Sequence, residues 1–366
     1  MIIKGGLVYQ EDKTFGKKDL YIENGKVVER LEEVSDRSVV DAEGLYVLPG
    51  LVDVHSHGAV GCDFSDGDLE GLEKILAYEY SCGITSYCPT SMTIDTEKLR
   101  QIFKTMGDFT EGPGMAHVAG INMEGPFLDV NKKGAHLEEY ILAPDVDFFR
   151  QCNEASGHKI RLVTLAPNVE GAMDFIRELH DEVVISLGHT AADYETAKAA
   201  LKAGANHVTH LCNAMMPLEH RKPGLIGAAA EDENCSPELI SDGIHVHESM
   251  VRAVFKMFPG RVVLISDSMR ATGMADGTYE LGGQQVTVKG KLATLENGTI
   301  AGSATNLYDC MRTAVSFGIP KEEAIAAATM NPAKSIGIYG EVGSLTPGKR
   351  ADVLLADEDL KLVKVL

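Results

Sequence analysis

Leu48-Pro49-Gly50-Leu51-Val52-Asp53-Val54-His55-Ser56-His57 is an apolar, largely β-branched run that ends in two histidines one residue apart. On an extended backbone, residues i and i+2 share a face, so both imidazoles can converge on one metal ion or on two neighbouring ones. Pro49-Gly50 breaks the chain just before the run, so a strand starts fresh there. Alone, a His-x-His at a strand end is weak evidence for metal, since an ordinary strand with polar residues at its end reads the same way. The rest of the chain decides between the two.

Downstream of this run the hydrophobic period switches repeatedly between strand and helix. Strands are expected at Ile84–Cys88, Val118–Met123, Ile160–Leu165, Val183–Leu187, His207–Leu211, Glu238–Ser241 and Val262–Ser266. Helical patterns separate most of them, and Thr190-Ala191-Ala192-Asp193 resembles a capping box that opens one. With the opening run, that makes eight strands. Alternating βα units imply a parallel sheet with helices outside, and eight of them suggest a closed barrel. An open doubly wound sheet is the alternative, but no glycine-rich phosphate loop follows the first strand.

Upstream, the first fifty residues read as short strands with tight turns, and Asn24-Gly25 is a hairpin signal. The last stretch, Ala351–Ala356 and Lys361–Leu366, is strand-like too. The expected fold is therefore α/β: a (β/α)8 TIM-type barrel with a small β-sandwich domain built from both termini. The sandwich takes residues 1–49 and 335–366, the barrel 50–334, with a hairpin insertion near 276–302. Pro320 stands near the N1 position of a closing helix over Lys321–Met330.

Composition narrows the function. Of 366 residues, 34 are basic and 54 acidic, for a formal charge of −20. So acidic a chain is a poor partner for nucleic acid or an anionic membrane. An anionic substrate must instead meet a local cluster of donors. Seven dispersed cysteines without a CxxC pair read as reduced thiols of a cytoplasmic protein. No signal peptide and no run long enough to span a membrane is evident.

Barrel chemistry sits at the carboxyl ends of the strands. There the chain places His55 and His57, then Glu124, His189, His210, Asp242 with His245, and Asp267. Each alone has a plain structural use, as a turn, a helix cap or a polar surface residue. Together on one rim they suit a borderline divalent metal such as Zn²⁺ or Fe²⁺. Asp267 is then placed to move protons between an activated water and a leaving group.

At these residues the sequence resembles the amidohydrolase superfamily over essentially its whole length. The tail Asn331-Pro332-Ala333-Lys334 and Gly343–Asp352 carries the likeness as well. Within the superfamily, the stretches Asn122–Phe127, Ser186–Thr190, His210–Met215 and Asp242–His245 resemble the branch that deacetylates amino-sugar 6-phosphates. A carboxylated lysine, common elsewhere in the superfamily, is not evident.

The resemblance implies that Glu124, His189 and His210 hold a main metal and that His55 and His57 hold a second, for one or two ions per subunit. It implies that His136 polarises the acetamide carbonyl and that Asp267 is the catalytic acid and base. Asn213, the backbone at Ala214, Arg221 and His245 would bind the sugar phosphate, with Arg221 reaching in from the second subunit of a homodimer. The implied reaction is release of acetate from N-acetylglucosamine 6-phosphate in amino-sugar catabolism. The galacto epimer, and substrates of the D-aminoacylase or cyclic-amide type, remain open. A non-catalytic scaffold is disfavoured because every ligand type is present. His247 has no place in the pattern.

Overall fold

The computed structural model describes residues 1–366. Leu51–Ser56 is the first of eight parallel strands. It pairs with Ile84–Ser91, which pairs in turn with Ile121–Phe127. The ladder continues through Ile160–Leu165, Val184–Leu187, His207–Val208, Ser236–Ile240 and Val263–Ile265. No regular ladder joins the eighth strand to the first. The seam closes through the Asp267 N–H, which donates to His55 O at 2.9 Å, and through the Ser266 N–H, 3.4 Å from Asp53 Oδ1.

The expected barrel is thus present, with the rim residues His55 and Asp267 forming its seam. Gly50 and Gly188 are needed for close packing. A Cβ on Gly50 would lie 2.0 Å from Thr85 Oγ1, and one on Gly188 2.6 Å from Thr209 Cβ.

Helices follow most of the strands and pack outside. Leu69–Ser81 buries Leu72, Ile75 and Leu76, and the Asp68 side chain accepts from two backbone N–H groups at its start. Such caps, repeated at Asp95 and Asp145, satisfy donors that the first helical turn leaves free. Beneath the rim, Val52, Val54, Cys88, Ile240, Val263 and Ile265 pack with Ala333, Ile336, Ile338 and Val342. Fully burying one such branched side chain is worth ~1.5–3 kcal/mol.

Two further sheets lie outside the barrel, the first with strands from both termini and the second with strands from the N-terminal stretch alone. One has the order Leu362–Val365, Val353–Ala356, Tyr46–Pro49, Leu7–Tyr9, Phe15–Lys17. The other is Lys26–Val28, Leu20–Glu23, Ile2–Lys4, Val39–Asp41. Ile3, Val8, Leu20, Val47, Val353 and Leu355 form a shared apolar core. Pro49 ends a strand of the first sheet and Leu51 begins the barrel, so the Pro49-Gly50 break is the crossing point.

Several local expectations need correction. Asp193, not Thr190, caps the helix Tyr194–Ala203, because the Asp193 side chain accepts from Thr196 N–H. Thr190 Oγ1 instead accepts from Ala192 N–H. The sixth strand is only His207–Val208, and the helix Gly224–Glu231 was not anticipated. The closing helix divides into Lys321–Ala328 and Met330–Ser335, and Pro320 is the N-cap. The insertion is a three-stranded antiparallel sheet, Gly277–Leu281, Gln284–Lys289 and Leu292–Thr294. His247 caps the helix Glu248–Met257, accepting from Ser249 N–H. No helix is long and apolar enough to cross a membrane, and all seven cysteines are unpaired.

Candidate active site

The strand ends bring one carboxylate to the centre of five imidazoles. Glu124 Oε1 lies 3.1 Å from His189 Nε2, 3.0 Å from His210 Nε2 and 3.5 Å from His55 Nε2. Glu124 Oε2 lies 3.2 Å from His57 Nε2 and 3.4 Å from His136 Nε2. Asp267 Oδ1 stands 3.3 Å from His57 Nε2 and 3.6 Å from His55 Nε2. All seven residues are buried. Three of them, His189, His210 and Asp267, have left-handed φ of 46°, 29° and 47°. Such backbone costs of order 1–3 kcal/mol per residue and persists where the surroundings hold it. Here hydrogen bonds supply that hold. Asp129 N–H donates to His189 O, and Ser303 N–H donates to Asp267 O.

Hydrogen bonds behind the rings set their tautomers. His189 Nδ1 donates to Lys132 O at 2.8 Å, and His57 Nδ1 to Thr90 O at 3.1 Å. His55 Nδ1 donates to Glu238 Oε2 at 2.9 Å. Each therefore turns Nε2 inward. For His136 the sense is reversed. Thr93 N–H donates to His136 Nδ1 at 3.2 Å, so the ring proton sits on Nε2, facing the cluster.

These placements make the donor set fit a cation. Burial pushes the His189 imidazole down to about 4, against the pull of Glu124, so it stays neutral. Its inward lone pair then faces a carboxylate oxygen at 3.1 Å, a repulsive arrangement without a cation between them. The buried His55 Nε2 has no hydrogen-bond partner. Nitrogens and oxygens bound to a tetrahedral Zn²⁺ stand roughly 3.4 Å apart, given metal–ligand distances near 2.0–2.1 Å. The observed 3.0–3.5 Å spacings match this. The second shell also follows metal-site logic at His55, His57 and His189, whose Nδ1 atoms are tied to a carboxylate or a carbonyl, whereas His210 Nδ1 has no partner.

Protons balance the charge in the ion-free chain. Burial alone would depress the His57 imidazole, but Asp267 and Glu124 together raise it to about 10. His55 is raised well above its ordinary value because Glu238, Glu124 and Asp267 outweigh its burial. Asp267 is held at about 2, since His55 and His57 overcome the opposing effect of burial.

An ion that takes His57 Nε2 must displace its proton. Uptake at pH 7 therefore releases protons, and affinity climbs with pH up to about 10. Calorimetric titration in two buffers of different ionisation enthalpy reads this directly, and identical heats would refute it. The same proton stabilises the ion-free fold. That contribution is complete below the unfolded value near 6.5 and is lost as pH rises through about 10.

A cavity of about 550 Å³ opens over the cluster. His57, Glu124, His136, His189, His210 and Asp267 line its floor, and Asn213, Ala214 and His245 line the same space. Asp242 Oδ2 orients His245 through Nδ1 at 2.8 Å. Arg221 is the exception. It is exposed on the loop after Ala214 and does not reach its own cavity.

Three contributors escaped the sequence reading. Lys132 and Lys133 bring positive charge to the wall, Leu281 and Gln284 come from the inserted sheet, and Asn297 comes from the turn after it. The Lys-Lys pair four residues before His136 was the one visible signal. Glu238 had none, because a lone carboxylate in an apolar strand marks no chemistry by itself.

Comparison with known proteins agrees with this geometry. A model of the "Amidohydrolase family" matches residues 46–365. N-acetylglucosamine-6-phosphate deacetylase of Bacillus subtilis (strain 168) is 35% identical over 374 residues, covering 99% of this chain and 94% of the relative. N-acetylgalactosamine-6-phosphate deacetylase of Escherichia coli O157:H7 is 36% identical over 332 residues, covering 90% and 88%. A mutant N-acetyl-D-glucosamine-6-phosphate deacetylase from Mycobacterium smegmatis, solved in complex with N-acetyl-D-glucosamine-6-phosphate, superposes with a TM-score of 0.92. It is 31% identical, and the match covers 100% of this chain and 97% of that one. With its barrel, its rim of imidazoles and carboxylates and these full-length relatives in view, the chain belongs to the amidohydrolase family and is a hydrolase.

Proposed function

We propose that the protein removes the acetyl group from N-acetylglucosamine 6-phosphate, yielding glucosamine 6-phosphate and acetate. One observation carries this reading. An imidazole fixed as an Nε2–H donor, His136, and an ionised carboxylate, Asp267, flank the same Glu124-centred cluster at the floor of one cavity. Amide hydrolysis needs such a pair, one group for the carbonyl oxygen and one for the water proton. The cavity volume lies within the range of about 300–1,000 Å³ usual for small-molecule sites.

Glu124, His189 and His210 would hold the main ion, Zn²⁺ or Fe²⁺, and His55 with His57 a second. A bound divalent ion supplies Lewis acidity that polarises the amide carbonyl and favours ionisation of water. The chain does the rest. Asp267 takes a proton from the attacking water and returns it to the departing amine nitrogen. His136 Nε2–H donates to the acetamide oxygen as it gains negative charge.

The sugar phosphate would meet Asn213, the Ala214 N–H and His245. Ala214 has φ 50°, and its N–H makes no hydrogen bond within the chain. A free N–H in a left-handed turn is a natural anion donor. Arg221 would add a bidentate contact from the second protomer of a homodimer. Its exposure, with Met216 and Leu218 uncovered on the same loop, supports that role. The seven unpaired thiols fit a cytoplasmic setting.

The experiment is a deacetylation assay on the gluco and galacto 6-phosphates and on unphosphorylated N-acetylglucosamine, with metal measured on the same sample. Turnover without preference for the phosphate would refute the assignment. Arg221→Ala and His245→Ala should each raise KM for the phosphorylated sugar about 10–100-fold with kcat kept, as expected for loss of a charge-assisted hydrogen bond. An unchanged kcat/KM in both would remove them from the phosphate site. The Escherichia coli relative keeps the galacto epimer as a second substrate reading, and the same assay separates the two.

A further inference from the structure

Glu238 lies on the seventh strand, fully buried, directly behind the ligand cluster. Its Oε2 accepts two hydrogen bonds, one from His55 Nδ1 at 2.9 Å and one from the His210 backbone N–H at 3.0 Å. Its Oε1 makes none and stands 3.7 Å from His207 Nδ1. Strand eight separates Glu238 from His55, so their contact crosses the barrel interior. The polar chain continues through His207 to Ser186 Oγ at 3.2 Å, then to Thr209 and Thr164.

Burying a carboxylate with one oxygen unsatisfied is costly, and an apolar side chain of the same size would fill the space with no such penalty. Two features show what the charge provides. First, two of the other ligand rings lean on neutral carbonyls, Thr90 O for His57 and Lys132 O for His189, and the third, His210, has no partner at Nδ1. His55 alone leans on a carboxylate, which fixes its proton on Nδ1 and strengthens Nε2 as a donor to an ion. That Nε2 is a buried nitrogen left without a partner, 3.5 Å from Glu124 and 3.6 Å from Asp267. Second, the same oxygen holds the left-handed backbone of His210, a residue of the main ion site.

We propose that Glu238 is a positioning residue that decides whether an ion settles on the His55–His57 pair, and that it ties that site to the backbone of His210. The inference rests on the ligand assignment above. It does not depend on which amide is hydrolysed.

The test is a Zn²⁺ titration of the ion-free full-length protein by equilibrium dialysis with elemental analysis. Wild type is compared with Glu238→Gln and with His55→Ala. A glutamine keeps an oxygen to accept both hydrogen bonds and removes only the charge. The wild type should bind two ions. In Glu238→Gln the weaker should bind 10–100-fold more weakly, the usual cost of a lost partner behind a ligand, with the tighter changed far less. Glu238→Gln with His55→Ala should match His55→Ala alone. Co²⁺ absorption, which follows ligand number, should lose intensity only in the second equivalent.

A purely structural glutamate would lower the melting temperature and leave the ratio of the two affinities untouched, and that result overturns the proposal. So does a wild type that saturates at one ion. If Glu238→Gln does not fold, Glu238→Asp withdraws the charge by one methylene. The same selective loss is expected there, and equal loss of both ions refutes the idea. Deacetylation by the wild type is scored separately. A chain that turns over substrate yet ignores Glu238 in both affinities overturns this inference alone. One that shows the selective loss without turnover overturns only the activity.

Discussion

Asp267→Asn should lower kcat by ~10²–10⁴-fold while the metal content stays at the wild-type level. Asparagine fills the same volume and can still meet the surrounding hydrogen bonds, but it cannot carry a proton from water to amine. The carboxylate is held at about 2 because the positive charges at His55 and His57 outweigh its burial. A bound cation would act in the same direction. Asp267 is therefore ionised throughout the neutral range, as the proposed base must be, and that form is lost only as pH falls toward about 2. Steady-state kinetics with metal analysis on one preparation decide the matter. Near-wild-type turnover with metal retained would exclude Asp267 from proton transfer. If the metal is lost with the activity, Asp267 is a ligand first.

The second large effect falls on His136. His136→Ala should cost ~10²–10³-fold in kcat with KM little changed, the signature of a donor that acts on charge developing in the transition state. The ring has an alternative use, because Glu124, His136 and His189 offer ligand atoms within 4.8 Å of one another. The two uses part at Nδ1. Thr93 N–H occupies that nitrogen and leaves the proton on Nε2, which is the donor form and not the ligand form. Retained metal in the slow variant supports the donor role. A variant that has lost an ion points to ligation.

The barrel was legible because its signals repeat. Most units carry a short β-branched run and a periodic helix, and the rim histidines stand at or just after the ends of the runs. What escaped has physical reasons. Gly224–Glu231 is almost wholly apolar and buried along its length, so no polar face marks a period. Thr190 and Asp193 are both good caps, and only the path of the chain past Asn168 and Asp129 decides between them. The sixth strand is short because His210 turns into left-handed backbone two residues after Val208.

The site divides in the same way. Residues that touch the cluster share a recognisable residue type and a place at a strand end. Glu238 acts from behind through His55, 183 positions away, and nothing local announces it. The cavity wall from the inserted sheet is likewise invisible, because its position depends on how Gln284 Nε2 donates to Ala135 O across the opening.

The strand Tyr46–Pro49 pairs on one side with Leu7–Tyr9 and on the other with Val353–Ala356, about 300 residues later. That distance has a meaning in time. At translation rates of ~5–20 residues per second, the edge of Tyr46–Pro49 waits on the order of 15–60 s for its partner. Throughout that interval a nascent β-edge with buried-type side chains Val47 and Leu48 is open to wrong pairings. The barrel elongates meanwhile, but its seam also needs Asp267. The strand that carries His55 gains Ile84–Ser91 on one flank soon after it emerges, while its other flank waits for Asp267.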